Sequence, residues 1–327
     1  LQCVGTPRLR EEIDRDEMSD MNRPLVSVII PTYNGARTIR ETLDSVFAQT
    51  YSPFEVVVVD DCSKDETRSI LRAYGDRIVF HPRTSNSGVC DRARCDAIER
   101  ARGMYCAFID QDDLWTPDKL EKQTAFMLAH PEVPLSHHYM RVIDEQGRPG
   151  EVRHDGRIPP TGMCARELLE HCFVTISSIM VKPQVWLRAQ QAHGMRHSNT
   201  DIETFFHILR EHSAGFGFIP EILGSYRRWP QSMSRQNWKW FPEDVDELER
   251  VYATRVWEGL VLKADIRQAI ARACAVNAEH HRHQGRPGRA LYFVRRGLPY
   301  APFQGGLYAT AAKALARGLA GQGFATG

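Results

Sequence analysis

Three times before Leu114 an unbroken apolar run stops at a cluster of polar residues, and this repeat most limits what the chain can fold into. Leu25-Val26-Ser27-Val28-Ile29-Ile30 leads into Pro31-Thr32-Tyr33-Asn34-Gly35. Glu55-Val56-Val57-Val58-Val59 leads into Asp60-Asp61, and Cys106-Ala107-Phe108-Ile109 into Asp110-Gln111-Asp112-Asp113. Runs of this length, rich in β-branched residues, read as strands buried on both faces, and Pro31 is expected to end the first. Between the first two, Ile39, Leu43, Val46 and Phe47 fall at helical spacing within Ala36–Gln49. Asp65 to Tyr74 and Val89 to Arg102 read as further helices, with a short strand at Arg77–His81 between them. Such alternation implies an α/β domain: a mainly parallel sheet flanked by helices.

In sheets of that kind ligands bind beyond the carboxyl ends of the strands, so the three polar clusters are expected along one rim. Taken alone, Asp110-Gln111-Asp112-Asp113 reads first as a solvated acidic turn capping the next helix. Convergence of three clusters favours a site. Carboxylate oxygens there suit Mn²⁺ or Mg²⁺, which neutralise phosphate oxygens. Neither a G-x-G-x-x-G after the first strand nor a phosphate-binding P-loop is present, so a bound nucleotide needs another cradle.

Beyond Pro117, Lys119 to Ala129 reads as a helix, and 131–160 as loop-rich with one added strand over Val133–Asp144. Phe173 to Val181 reads as one strand or two short ones. His193 to Asp201 is a polar loop that places Asp201 at the N-terminus of a helix over Ile202–Arg210. From about residue 240 the composition turns helical, over Glu243–Val276 and Arg289–Leu319. The latter is basic and amphipathic, fit either for an anionic membrane surface or for the solvated face of a bundle. Leu1 to Asn22 lacks the apolar core of a signal peptide and is expected to be a flexible arm. Eight cysteines without paired spacing read as scattered thiols of a cytoplasmic protein. A net charge of +1 argues against a general nucleic-acid binder. His137-His138 and His281-His283 show no zinc spacing and are expected at the surface.

The ordered set Val26 to Asn34, Val57 to Ser63, Asn86-Ser87-Gly88 and Phe108 to Asp113 resembles glycosyltransferase family 2, of the GT-A (Rossmann-like) fold, over about residues 24 to 235. The resemblance implies that Pro31, Thr32 and Tyr33, with Asn34 and Gln111, line the base and ribose of a nucleotide sugar. By the same match Asp61 accepts a hydrogen bond from the base, and Arg94 of Ala93-Arg94-Cys95 approaches the diphosphate. Asp110 and Asp112 match a D-x-D pair binding ribose and metal, the metal on Asp112 with Asp113 beside it, and Asp201 matches the general base. The chain departs from the family pattern at four places. One extra residue separates Asn86 from Ala93, Cys95 replaces the usual Asn, Thr200 stands where an acid commonly precedes the base, and Trp229 occupies the place of a frequent His.

The expected organisation is therefore an arm over 1–23, a GT-A domain over 24–240 and a helical C-terminal extension over 241–327. The expected activity is metal-dependent, inverting transfer from a nucleotide diphosphate sugar, a UDP-sugar by expectation, to a hydroxyl of a glycan, lipid-linked or protein acceptor. Peripheral contact with the inner face of the cell membrane would run through the basic C-terminal helices. Two rivals stand beside it: a nucleotidyltransferase that activates a sugar phosphate, and a scaffold that binds a sugar nucleotide without turnover.

Overall fold

The computed structural model of the chain describes residues 23–153, 159–170, 172–194, 201–229 and 245–302, together with 305, 308–310, 312 and 313. The expected N-terminal arm up to Asn22, the domain boundary near 240 and the end of the helix expected to reach Leu319 lie outside these residues, as do Thr200 and Arg317.

β1 (Val26–Thr32) is buried at all seven positions and sits between two parallel neighbours, β2 (Phe54–Asp60) and β4 (Tyr105–Phe108). Polar alternation is absent because neither face meets water. The strand does not stop at Pro31: Pro31 pairs with Val59 and Thr32 with Asp60. A missing N–H is harmless there, since pairing with β4 ends at Ile29 and Pro31 has a neighbour on one side only. β3 (Val79–Pro82) adds to β2, also parallel. The remaining strands are β5 (Leu114–Trp115), β6 (Leu135–Ile143), β7 (Pro149–Val152), β8 (Met180–Val181) and β9 (Phe216–Arg227). They extend the sheet in the order β3-β2-β1-β4-β8-β6-β9-β5, with β7 on β6. The half that carries the three polar clusters is parallel throughout. Beyond β4 the pairings mix directions, β8 being antiparallel to both its neighbours.

Side chains of β1 alternate between two cores, as the strand's two-residue period requires. Val28 and Ile30 join Ile39, Leu43 and Val46 of α1 (Ile39–Phe47), Leu71 of α2 (Thr67–Arg72) and Leu120 of α4 (Lys119–Ala129). Ile29 faces the other way, with α3 (Cys90–Ile98), α5 (Ala165–Glu170), α6 (Pro183–His193) and α7 (Asp201–Glu211). That second core runs on without a break into the C-terminal helices α8 (Val245–Thr254), α9 (Lys263–His283) and α10 (Pro287–Gly297), through Leu248, Val251, Ile266, Ile270 and Phe293.

Two expectations are corrected here. Within Phe173–Val181 only Met180 and Val181 form a strand, while Ile176–Ser178 is a 3₁₀ turn. Serine hydroxyls compete with the ladder: both the N–H and the Oγ of Ser178 bond the carbonyl of Thr175, at 2.9 and 2.6 Å. His137, His138 and His281 are buried rather than superficial. β6 lies between β8 and β9, so the His137 ring packs on Phe173 and Phe218, with centroids 5.5 and 5.1 Å apart, and burial pushes its basicity down to about 3. His281 stacks on Phe293 across the α9–α10 contact.

Candidate active site

The rim is assembled by side chains that tie one strand end to the next. Gln111 does this for the first and third: its Oε1 accepts from the Thr32 hydroxyl and from the Tyr33 N–H at 2.8 Å, and its Nε2 donates to the Tyr33 carbonyl at 3.2 Å. Gly35 makes room, since a Cβ there would lie 2.5 Å from that Gln111 oxygen and 2.7 Å from the Thr32 hydroxyl. Asn34 joins the first rim segment to the second. It adopts φ 50°, a left-handed conformation that Asn tolerates. Its N–H donates to the Ser63 hydroxyl and its Oδ1 accepts from the Lys64 N–H, both at 2.8 Å. Tyr33 is left 40% exposed over this corner, available to stack on a planar ligand.

Asp60 and Asp61 divide their work. Asp60, fully buried, accepts from the Ser63 N–H and from Arg68 Nε at 2.5 Å. The Asp61 carboxylate accepts the Ser87 N–H at 3.0 Å and its hydroxyl at 2.8 Å and pairs with Arg83 at 3.0 Å, while Asn86 donates to the Asp61 carbonyl. The Asn86-Ser87-Gly88 element is thus the segment anchored to Asp61.

At the third strand end the carboxylates have different surroundings. The Asp110 N–H donates to the Ser177 hydroxyl at 3.0 Å, and its carboxylate receives Arg94 at 3.3 Å. Asp113 is buried, accepting from the Ser177 hydroxyl and from the Arg227 N–H at 2.9 Å, and burial holds it well above the usual carboxylate range. It works inside the protein, fastening the turn to β9. Asp112 lies between: one oxygen accepts from the Trp229 indole at 3.2 Å, and burial, then Asp110, pushes the carboxyl up to about 6. The guanidinium of Arg227 locks this turn, donating to the Asp112 and Glu145 carbonyls and to Glu41.

Arg94 is buried rather than a surface charge. It pairs with Asp91 one helical turn back and with Asp110, its guanidinium over Phe108 and Trp186. Asp201, on the first turn of α7, belongs to the same group of charges. Burial first, then the like charges of Asp91 and Asp110, push its carboxyl up to about 7 against the pull of Arg94 and Arg153. The structure therefore brings Pro31 to Asn34, Asp110 to Asp113, Arg94 and Asp201 to one side of the sheet, and adds Asp91, Ser177 and Arg227. Sequence reading passed over these three. Ser177 carried a faint signal, hydroxyls in an otherwise apolar run; Asp91 and Arg227 carried none.

For a divalent ion the carboxylates of the rim differ in what they offer. Among the described residues no three His, Cys, Asp or Glu side chains gather as a closed metal cage. Asp113 is spent on Ser177 and Arg227, and Asp110 faces Arg94. Asp112 keeps a carboxylate oxygen beyond its bond to Trp229, which suits an ion of the Mg²⁺ type that takes one or two carboxylates and completes its shell with phosphate and water. The residues fit an ion carried in with a diphosphate.

Comparison with known proteins gives the family and the fold. The family model for glycosyl transferase family 2 matches residues 27–206. TuaG of Bacillus subtilis, a glycosyltransferase named for teichuronic acid biosynthesis, is 33% identical over 239 residues, 70% of this chain and 90% of that protein. Among solved structures, S. aureus TarS 1-349 in complex with UDP-GlcNAc superposes with a TM-score of 0.60 at 19% identity, over 89% of this chain and 88% of that one. The mannosyltransferase PcManGT from Pyrobaculum calidifontis, in complex with GDP-Man and Mn²⁺, gives 0.52 at 20% identity, over 90% and 88%.

Proposed function

The chain belongs to glycosyl transferase family 2 and is a glycosyltransferase, and from that premise we propose that it moves a sugar from a UDP-sugar to an acceptor hydroxyl with inversion at the anomeric carbon. The observation that carries this reading is the pairing of roles around Arg94. Asp110 stands on the donor side, and Asp201, its carboxyl pushed up to about 7, stands where a base is wanted. Asp201 takes the acceptor's proton as the acceptor oxygen bonds to the anomeric carbon. The bond from that carbon to the diphosphate breaks on the opposite face, its electron pair leaving with the nucleoside diphosphate. A base titrating near the working pH combines availability with driving force. Tyr33 stacks on the nucleobase, and Asp110 orients the ribose. Asp112 would hold a divalent ion, Mn²⁺ or Mg²⁺, whose charge steadies the leaving diphosphate. The UDP-GlcNAc and GDP-Man complexes of structurally similar proteins support a nucleotide-sugar donor.

The acceptor we favour is a hydroxyl of an envelope glycan, in line with TuaG's name. No described helix is long and apolar enough to cross a membrane. After Glu279 the chain carries seven Lys and Arg and no Asp or Glu. This one-signed charge supports peripheral contact with an anionic surface. Incubation with Mn²⁺ and a panel of nucleotide sugars tests the reading. Donor hydrolysis or transfer is expected with a UDP-sugar, whereas tight binding without turnover in the presence of acceptors would favour the scaffold.

A further inference from the structure

Asp91 belongs to no motif of the resemblance, yet it is buried on the first turn of α3 and pairs with Arg94. Arg94 has no water to turn to: its side chain is 4% exposed and lies over Phe108 and Trp186. The Sγ of Cys90 accepts from the guanidinium nitrogen that also reaches Asp110. A guanidinium so enclosed goes to whichever carboxylates hold it best, because an unpaired charge at such depth is costly. Three compete: Asp91, Asp110 and Asp201.

We propose that Asp91 is a positioning residue for the base: it pins Arg94 toward α3 and Asp110, so that the guanidinium does not settle on Asp201 and Asp201 faces a like charge instead. Were Arg94 to pair with Asp201 directly, the carboxylate would become a weak base with little affinity for the acceptor's proton. The other groups facing Asp201 do not supply this restraint. Arg153 pulls the other way, and the Cys90 and Cys172 thiols are held neutral by burial. Glu247 of α8 is committed to the first N–H groups of α7, accepting from Ile202 and Glu203 at 2.5 and 3.1 Å. The raised proton affinity of Asp201 agrees with this arrangement, Asp91 being the largest charge contribution after burial.

The inference rests on Asp201 as the base, and its test does not need turnover. The chain is labelled with ¹³C at aspartate carboxyls, the Asp201 resonance is identified by its loss in Asp201→Asn, and its midpoint is followed against pH. In Asp91→Asn the midpoint is expected to fall by about one pH unit. In Asp91→Glu, which keeps the charge, it is expected to stay. It should also stay in Asp96→Asn, whose carboxylate pairs with Arg83 away from the cluster. An unchanged midpoint in a folded Asp91→Asn, or an equal fall in Asp96→Asn, overturns the proposal. If Asp91→Asn does not fold, Asp91→Glu decides, a fall of that size overturning it and a held midpoint supporting it. The expected shift in a chain that turns over no nucleotide sugar would keep this inference and sink the glycosyl-transfer role of Asp201.

Discussion

The indole N–H of Trp229 donates to a carboxylate oxygen of Asp112 at 3.2 Å, joining the end of β9 to the turn after β4. Arg37 lies over the same indole at 4.8 Å. The ring is therefore held from outside while its N–H fixes the one carboxylate of the turn suited to an ion. Where the family often has a His, this chain has an indole donor that holds one oxygen of Asp112, which under the proposed role leaves the other oxygen turned to an ion.

Trp229→Phe keeps most of the ring and removes the donor. Loss of a group that orients a metal ligand typically weakens metal affinity about tenfold or more. The Mn²⁺ concentration for half-maximal turnover is expected to rise by that factor with the melting temperature little changed; an unmoved Mn²⁺ curve would show that the indole does not orient Asp112.

Asp201→Asn is expected to abolish transfer, by about 10²–10⁴-fold, and to spare UDP binding by calorimetry. In the parent chain activity should be full above about pH 7 and fall as Asp201 is protonated below it. The linked stability has the opposite slope. Between the unfolded value near 3.8 and the folded value near 7 the folded chain binds the extra proton, so this group's contribution weakens as pH rises through that window. Denaturation at pH 5 and pH 8 should show a smaller pH dependence in Asp201→Asn.

Lys119 is fully buried beneath the site, with its Nζ 3.7 Å from the centre of the Trp115 ring and no hydrogen-bond partner among the described residues. Burial drives its proton affinity well down. Between that lowered value and the ordinary lysine range only the unfolded chain holds the proton, so stability should rise with pH across the interval. Lys119→Met fills the same space without the buried amine. It is expected to gain about 1–3 kcal/mol at pH 7, a rise of several degrees in Tm, and to flatten the alkaline rise.

Gly35→Ala places a methyl against Gln111 and Thr32. Gln111 can yield, but only by giving up Thr32 and Tyr33, at a cost of about 1–2 kcal/mol. UDP affinity should fall roughly tenfold with the fold intact, measured by calorimetry. Unchanged affinity would remove this corner from the nucleotide site.

Arg286→Glu, Arg289→Glu and Arg295→Glu together should release the chain from vesicles rich in anionic lipid, each basic residue near such a surface contributing about 1 kcal/mol. Co-sedimentation at low and high salt checks this. Equal binding by parent and triple variant would place the contact elsewhere.

What the residues determined by themselves was the parallel half of the sheet and its rim. The β1, β2 and β4 runs are apolar because both faces are covered, so their composition states their place, and each ends where carboxylates or small polar residues begin. The helix of α7 and the position of Asp201 were equally legible, from Ile202, Phe205, Phe206 and Leu209 at helical spacing. The mixed half of the sheet was not: β8 is two residues long and exists because its neighbours pair with it. The buried His137 and His138 follow the same rule, since polarity suggests a surface and only a strand's position inside a sheet denies it one, while His281 is covered by the helix that carries Phe293. Above all, sequence does not say which charges share a low-dielectric interior. Asp110, Asp112 and Asp113 are near neighbours in the chain, yet they meet Arg94, Trp229 and Ser177 respectively, which leaves one in an ion pair, one under an indole donor and one as a buried anchor. Tertiary structure decided these roles because burial and the partner across the fold, rather than the residue type, set what a carboxylate does.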